Sequence, residues 1–206
     1  MTQRWKRLDI TQSDVYYINS EDKIYYAREY ISGRNYSASD ANQLISNFKK
    51  PIQRKNNPAE WKYKIRAIDQ FAQELSSLLD DKTSFVFAAI PSSRCKTDSD
   101  YDPRLEEKLK KLKKIKKNII IEEPILIKET LVSSHTGGTR DPDLLYNNMI
   151  WNGFKVDTHH VFLIDDVLTT GSHFRACKKM ILEHYTDMEV LGIFWARTIW
   201  PDVSPF

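Results

Sequence analysis

Apolar and polar positions recur along the chain with two different periods, and the changes of period mark out the elements. Trp61, Ile65, Ile68, Ala72, Leu75 and Leu79 are spaced four, three, four, three and four apart, which predicts an amphipathic helix. Asn57, Pro58 and Glu60 open it as a cap, a first-turn proline and a third-position acid, and it is expected to end near Asp80. Lys62, Lys64 and Arg66 fall off its apolar stripe and are expected to be solvated. Ser37 and Asp40 make a capping-box pattern ahead of Leu44, Ile45 and Phe48, which share one helical face. A third helix is expected with Asp102 as its cap, Pro103 at its first position and Leu105, Leu109, Leu112 and Ile115 along its apolar side. Apolar-rich stretches at 84–90, at 119–121 with 124–127 as one strand broken at Glu122 and Glu123, at 161–164 and at 188–199 predict strands, and 15–19 with 23–30, separated by Ser20, Glu21 and Asp22, predict a hairpin.

Strands that alternate with helices imply an α/β fold with a mainly parallel sheet flanked by helices. The N-terminal hairpin and helices are expected to form a small hood over residues 1–82, packed on a core of residues 83–206. A length of 206 residues fits that single core with its appendage and leaves no room for a second full domain. The only two cysteines, Cys95 and Cys177, form no CxxC pair, which argues against a zinc ribbon or a disulfide framework. No apolar run is long enough to span a membrane, and the first ten residues lack the apolar stretch of a signal peptide, so a cytoplasmic location is expected. The net charge of +3 argues neither for nor against nucleic acid as a partner. The third helix carries Lys108, Lys110, Lys111, Lys113, Lys114, Lys116 and Lys117, a run readable as a nucleic-acid stripe or, as favoured here, as the solvated side of a core helix.

The densest chemistry lies at residues 161–173, VFLIDDVLTTGSH. Val161, Phe162, Leu163 and Ile164 read as a strand buried on both faces, from which Asp165 and Asp166 emerge together. Thr169, Thr170, Gly171 and Ser172 then crowd hydroxyls and a flexible backbone at the start of a helix whose Phe174, Cys177 and Ile181 recur at helical spacing. Free N–H groups at a helix start attract phosphate, and Gly171 permits its close approach. The neighbouring carboxylates suit either paired sugar hydroxyls or a magnesium ion. Sugar, phosphate and metal together describe phosphoribosyl diphosphate.

On these residues the chain resembles the type I phosphoribosyltransferases, whose signature is a hydrophobic strand, two acidic residues, two variable positions and then Thr-Thr-Gly-x-Thr. The chain departs at the last position, where His173 stands in place of the closing hydroxyl, with Ser172 or a protonated His173 available in its stead. The resemblance covers about residues 85–197. It implies transfer of a 5-phosphoribosyl group from phosphoribosyl diphosphate to a nitrogenous acceptor, with release of diphosphate and with magnesium as cofactor. Asp165 and Asp166 would hold the ribose hydroxyls and the metal, and Thr169, Thr170, Gly171, Ser172 and His173 would hold the 5′-phosphate.

After the strand at 84–90, Pro91 leads into Ser93, Arg94 and Lys96, whose hydroxyl and positive charge would receive the diphosphate in such an enzyme. The polar, glycine-bearing stretch at 131–154 occupies the place of a catalytic loop, from which His135 and Arg140 would reach the leaving group. Tyr16, Tyr17, Tyr25, Tyr26 and Tyr30 are candidates either for stacking on an acceptor base or for ordinary packing. Two other functions stay open: a ligand sensor that keeps the site without turnover, and an accessory protein bound to nucleic acid. A homodimer is compatible with either.

Overall fold

The structure, a computed structural model, describes residues 5–12, 15–131 and 140–201. Its elements in chain order are β1 (Lys6–Arg7), β2 (Lys23–Ile31), α1 (Asp40–Phe48), α2 (Pro58–Ser76), β3 (Phe85–Ala89), α3 (Arg104–Ile115), β4 (Ile119–Glu122), β5 (Ile125–Ile127), α4 (Pro142–Asn147), β6 (Met149–Trp151), β7 (His160–Leu168), α5 (Ser172–His184) and β8 (Glu189–Ile199). The main sheet runs β1-β2-β8-β7-β3-β4, parallel throughout except for the two-residue β1. β5 and β6 pair antiparallel as a separate ribbon. Among the described residues no helix is long and apolar enough to cross a membrane.

The α/β architecture with a mostly parallel sheet is therefore present, but its N-terminal part is built differently from the expected hood. Residues 15–19 form no strand, and no hairpin joins them to β2. Instead β2 lies parallel to β8, with Ile24 opposite Gly192 and Tyr26 opposite Phe194. The strand expected at 23–30 is present as β2, but its pairing partner, some 170 residues away, leaves no local signal. Gly192 makes this junction possible, because a Cβ there would lie 2.5 Å from the Ile24 side chain and 3.0 Å from Phe174.

Two cores lie on opposite faces of the sheet. On one, Phe174, Cys177, Met180 and Ile181 of α5 pack against Ile24, Val86, Val161 and Leu163. On the other, α1, α2 and α3 cover Phe87, Ile164, Ile193 and Trp195. Trp195 is fully buried there, stacked on Phe71 at 4.5 Å and edge-on to Phe48 at 5.5 Å. Both cores draw residues from either side of position 82, so the first helices complete the sheet's cover.

The caps explain where the helices begin. Ser39, not Ser37, caps α1, its side chain accepting from the Asn42 N–H at 3.0 Å. Asn57 caps α2 as expected, ahead of Pro58. Asp102 does not cap α3: Pro103 takes the cap position, and the Asp102 carboxylate turns to Lys64 and Arg104.

Two lysines expected in solvent are inside. Lys64 is fully buried, and its Nζ donates to the carbonyls of Phe48 at 2.9 Å and Lys50 at 2.8 Å and to Asp102 Oδ2 at 2.6 Å. Lys108 is also fully buried, with its Nζ 3.8 Å from the centre of the Phe71 ring and without a hydrogen-bond partner. By spacing each lies on the inward face of its helix, Lys64 three residues after Trp61 and four before Ile68, Lys108 three after Leu105 and four before Leu112, so the stem runs along the apolar side.

Candidate functional site

The strand order reverses direction at β3 and β7: from β3 the chain crosses to β4 on one side, and from β7 to β8 on the other. Ligands of open α/β sheets bind at such a switch point, beyond the carboxyl ends of the strands. A cavity of about 520 Å³ opens there, lined by the loop after β3, the loop between β7 and α5, and the segment that follows α1.

The pleat of β7 distributes its side chains between the two faces. Phe162, Ile164 and Asp166 point toward the α1–α3 side, and Val161 and Leu163 toward α5. Asp166 is buried, yet it is fully compensated: Lys49 Nζ lies 3.0 Å from its Oδ1, and Arg104 donates from Nε at 3.0 Å and from an amino group at 2.8 Å to its Oδ2. Those cations hold the Asp166 carboxyl well below the usual carboxylate range despite its burial. Asp165 has no such support. Burial first and the adjacent Asp166 second push its carboxyl up, while its Oδ1 accepts the Asp166 backbone N–H at 2.7 Å.

Arg104 occupies the first position of α3, where the helix dipole disfavours a cation. Its charge is tolerated because Asp102 and Asp166 flank it. Through Asp102 the same chain of charges reaches Lys64, so α2, the loop after β3, α3 and β7 are tied together at the cavity wall. Asp102 Oδ1 is itself buried without a hydrogen-bond partner.

On the far side of β7, Gly171 takes a left-handed conformation with φ of 85° and caps α5 without a side-chain hydrogen bond. A Cβ there would meet Ile18 Cδ1 at 2.5 Å, and the Tyr17 N–H donates to the Thr170 carbonyl at 3.0 Å. Residues 15–18, expected as a strand, thus clamp the loop that leads into α5. Thr170 donates to Ser172 Oγ at 3.2 Å, and Thr198 to Thr169 Oγ1 at 3.2 Å, so the loop hydroxyls are partly satisfied by one another. Burial pushes the His173 imidazole down, and a hydrogen bond to the Pro91 carbonyl only partly offsets this. The expected route by which a protonated His173 would replace the missing hydroxyl is therefore disfavoured.

The cavity brings together most of the residues that the sequence nominated. Ser93, Arg94, Arg140, Asp165, Asp166, Thr169, Thr170, Gly171, Ser172 and His173 all line it. Arg94 is tied to Asp98 at 3.0 Å and Asp100 at 3.6 Å. Lys96 does not line the cavity; its ammonium pairs with Glu123. His135 lies outside the described residues. None of the five N-terminal tyrosines lines the cavity, whereas Tyr101 does, its hydroxyl bonded to Glu106.

Lys49, Asp102 and Arg104 were missed as site residues. A cation placed against the dipole in the first turn of a helix was the one readable sign, since such a residue needs carboxylates nearby. No known family model and no curated protein matches the chain.

Proposed function

We propose that the cavity binds phosphoribosyl diphosphate and transfers its 5-phosphoribosyl group to a nitrogenous acceptor, releasing diphosphate. One observation carries this reading: a carboxylate pair in the C-terminal part of β7 and a glycine-capped helix start border the same cavity as Lys49, Arg94, Arg104 and Arg140. Asp165, the carboxylate without a cation of its own, is the one suited to accept from vicinal hydroxyls of a ribose. Asp166 acts through Lys49 and Arg104, which it holds at the wall where a leaving diphosphate would gain negative charge. The backbone of 169–172 offers N–H groups to the 5′-phosphate, and Arg94 and Arg140 stand at the same cavity for the diphosphate.

Among the described residues no three His, Cys, Asp or Glu side chains converge as a metal cage. Magnesium fits this site through one carboxylate, Asp165, which would hold it together with the ligand's phosphate oxygens, since Asp166 faces the other side of β7 and is already engaged by Lys49 and Arg104. Bound in this way it supplies charge neutralisation on the diphosphate. The protein's own part is to orient the ribose and keep cations at the leaving group, and no side-chain nucleophile is required.

The test is titration calorimetry with phosphoribosyl diphosphate and magnesium, paired with an assay of diphosphate release over a panel of purine, pyrimidine and other nitrogenous acceptors. Asp165→Asn should weaken binding at least tenfold, the order expected when charge-assisted hydrogen bonds are lost. Undiminished affinity in that variant would remove the ribose assignment. Tight binding without release on any acceptor would make the protein a sensor of the ligand.

A further inference from the structure

We propose that the outward face of α2 and α3 is a docking surface for single-stranded nucleic acid. The inference is independent of what the cavity binds. Lys110, Lys113 and Lys114 stand at i, i+3 and i+4 on one face of α3, and Lys117 follows in the turn beyond the end of the helix. All four are exposed, and none is in a salt bridge among the described residues. The other lysines of the run have different places: Lys108 is buried, Lys111 pairs with Asp69 of α2, and Lys116 pairs with Asp81. The stripe is thus what remains after the structural lysines are taken away.

A lysine stripe alone is the ordinary solvated side of a helix, and a footprint requires that it continue on a neighbouring element. It does so on α2. The Lys111–Asp69 pair marks the seam between the two helices, and beyond it Lys62 and Arg66 are exposed, unpaired and one turn apart. Between them stands Tyr63, 42% exposed, with Lys62 Nζ 5.1 Å and Arg66 Cζ 5.8 Å from its ring centre. Of the carboxylates nearby, Asp69 holds Lys111, Glu60 holds Arg54, Asp81 holds Lys116 and Glu106 accepts from Tyr101, which leaves Glu107 in the first turn of α3.

Cations that track a backbone together with an exposed aromatic ring on which a base can stack are the two parts of a single-strand binding surface. An anionic membrane would call for apolar side chains below the lysines. On α3 those side chains, Leu105, Leu109 and Leu112, are buried in the core, and Ile115 alone is exposed. The charge and the lone ring therefore favour a nucleic acid.

The experiment is fluorescence anisotropy of the full chain with a labelled single-stranded RNA and its DNA counterpart over a salt series. If each of the four lysines of the stripe holds one phosphate, raising salt fourfold should lower affinity about fifty-fold. Replacing Lys110, Lys113, Lys114 and Lys117 together by Gln should remove most of that salt dependence. Tyr63→Ala should weaken binding roughly fivefold or more while leaving the salt slope unchanged. Binding that survives the fourfold replacement would overturn the proposal. So would a Tyr63→Ala variant that binds the oligonucleotide as well as the parent does, with heparin bound equally by both, since that describes a surface for any polyanion. Preferential binding to vesicles of phosphatidylserine and phosphatidylcholine would reassign the face to a membrane.

Discussion

Lys108→Met asks whether a buried amine without a partner weakens this fold. Lys108 is enclosed between α3 and α2, its Nζ makes no hydrogen bond, and the face of Phe71 is 3.8 Å away. An unsatisfied buried donor costs about 1–3 kcal/mol. An ammonium over an aromatic face returns about 0.5–2 kcal/mol, but only while it is charged. Burial pushes the Lys108 amine far down, against the upward pull of Asp165, Asp166 and Glu106, so the charged form and its attraction to the ring are both diminished. Methionine keeps an unbranched stem of similar volume and has no donor to satisfy. The replacement should therefore raise stability by about 1–2 kcal/mol, or roughly 2–8 °C in Tm for a chain of this size. The pH dependence has a definite sign. With the folded-state value depressed, the unfolded chain binds more protons from that value up to the ordinary lysine value of about 10.4, so parent stability rises with pH through that window. The variant lacks this rise, and its advantage should be larger at about pH 6 than at about pH 9. Urea unfolding at both pH values, with equal slopes, reads the difference. A lower midpoint for Lys108→Met at both, or an advantage that widens with pH, would refute the reasoning.

Three further outcomes are expected. Gly171→Ala should destabilise by at least about 1–2 kcal/mol from the left-handed backbone alone, and the contact with Ile18 adds to this; in an Ile18→Ala background the loss should shrink toward the backbone part, and equal losses in the two backgrounds would rule out the clash. Lys64→Met removes the donor shared by two carbonyls and Asp102 and should cost about 3–5 kcal/mol by urea unfolding, with a change below about 1 kcal/mol counting against the buried pair. Hydrogen bonds from Thr130 and Thr97 lower the Cys95 thiol, whereas burial raises that of Cys177, so a thiol reagent should modify Cys95 in the native protein and reach Cys177 only on unfolding; equal rates at both would contradict the assignment.

What could be read from the chain was whatever its neighbours in sequence determine. The run from Val161 to His173 carries its strand, its carboxylates and its helix start within one stretch, and those parts stand together at the end of β7. The cap of α2 was equally local. What could not be read depends on distant partners. Lys64 is inside because Asp102, 38 residues on, and two carbonyls at the end of α1 receive it. Arg104 belongs to the cavity because Asp166, 62 residues away, faces it across the α3–β7 contact. Residues 15–18 have the composition of a strand, but the loop at Thr170 and Gly171 uses them as a clamp.

The placement of β2 beside β8 has a consequence for synthesis and refolding. Glu29 and Arg197, paired across the two strands, are 168 residues apart in sequence, so one of the sheet's longest ladders forms only after the whole α/β succession between them has been made. Contacts of such long range carry a loop-closure cost before they return any stabilisation, which slows folding. On the ribosome, β2 waits with an unpaired edge until β8 emerges. The cavity wall matures on the same schedule, because β8 supplies Phe194 beside Asp165 and β2 anchors the segment that clamps Gly171. A nascent chain lacking β8 would hold the aspartates and the glycine loop without the neighbours that set their geometry, which delays competence at the site until the sheet closes.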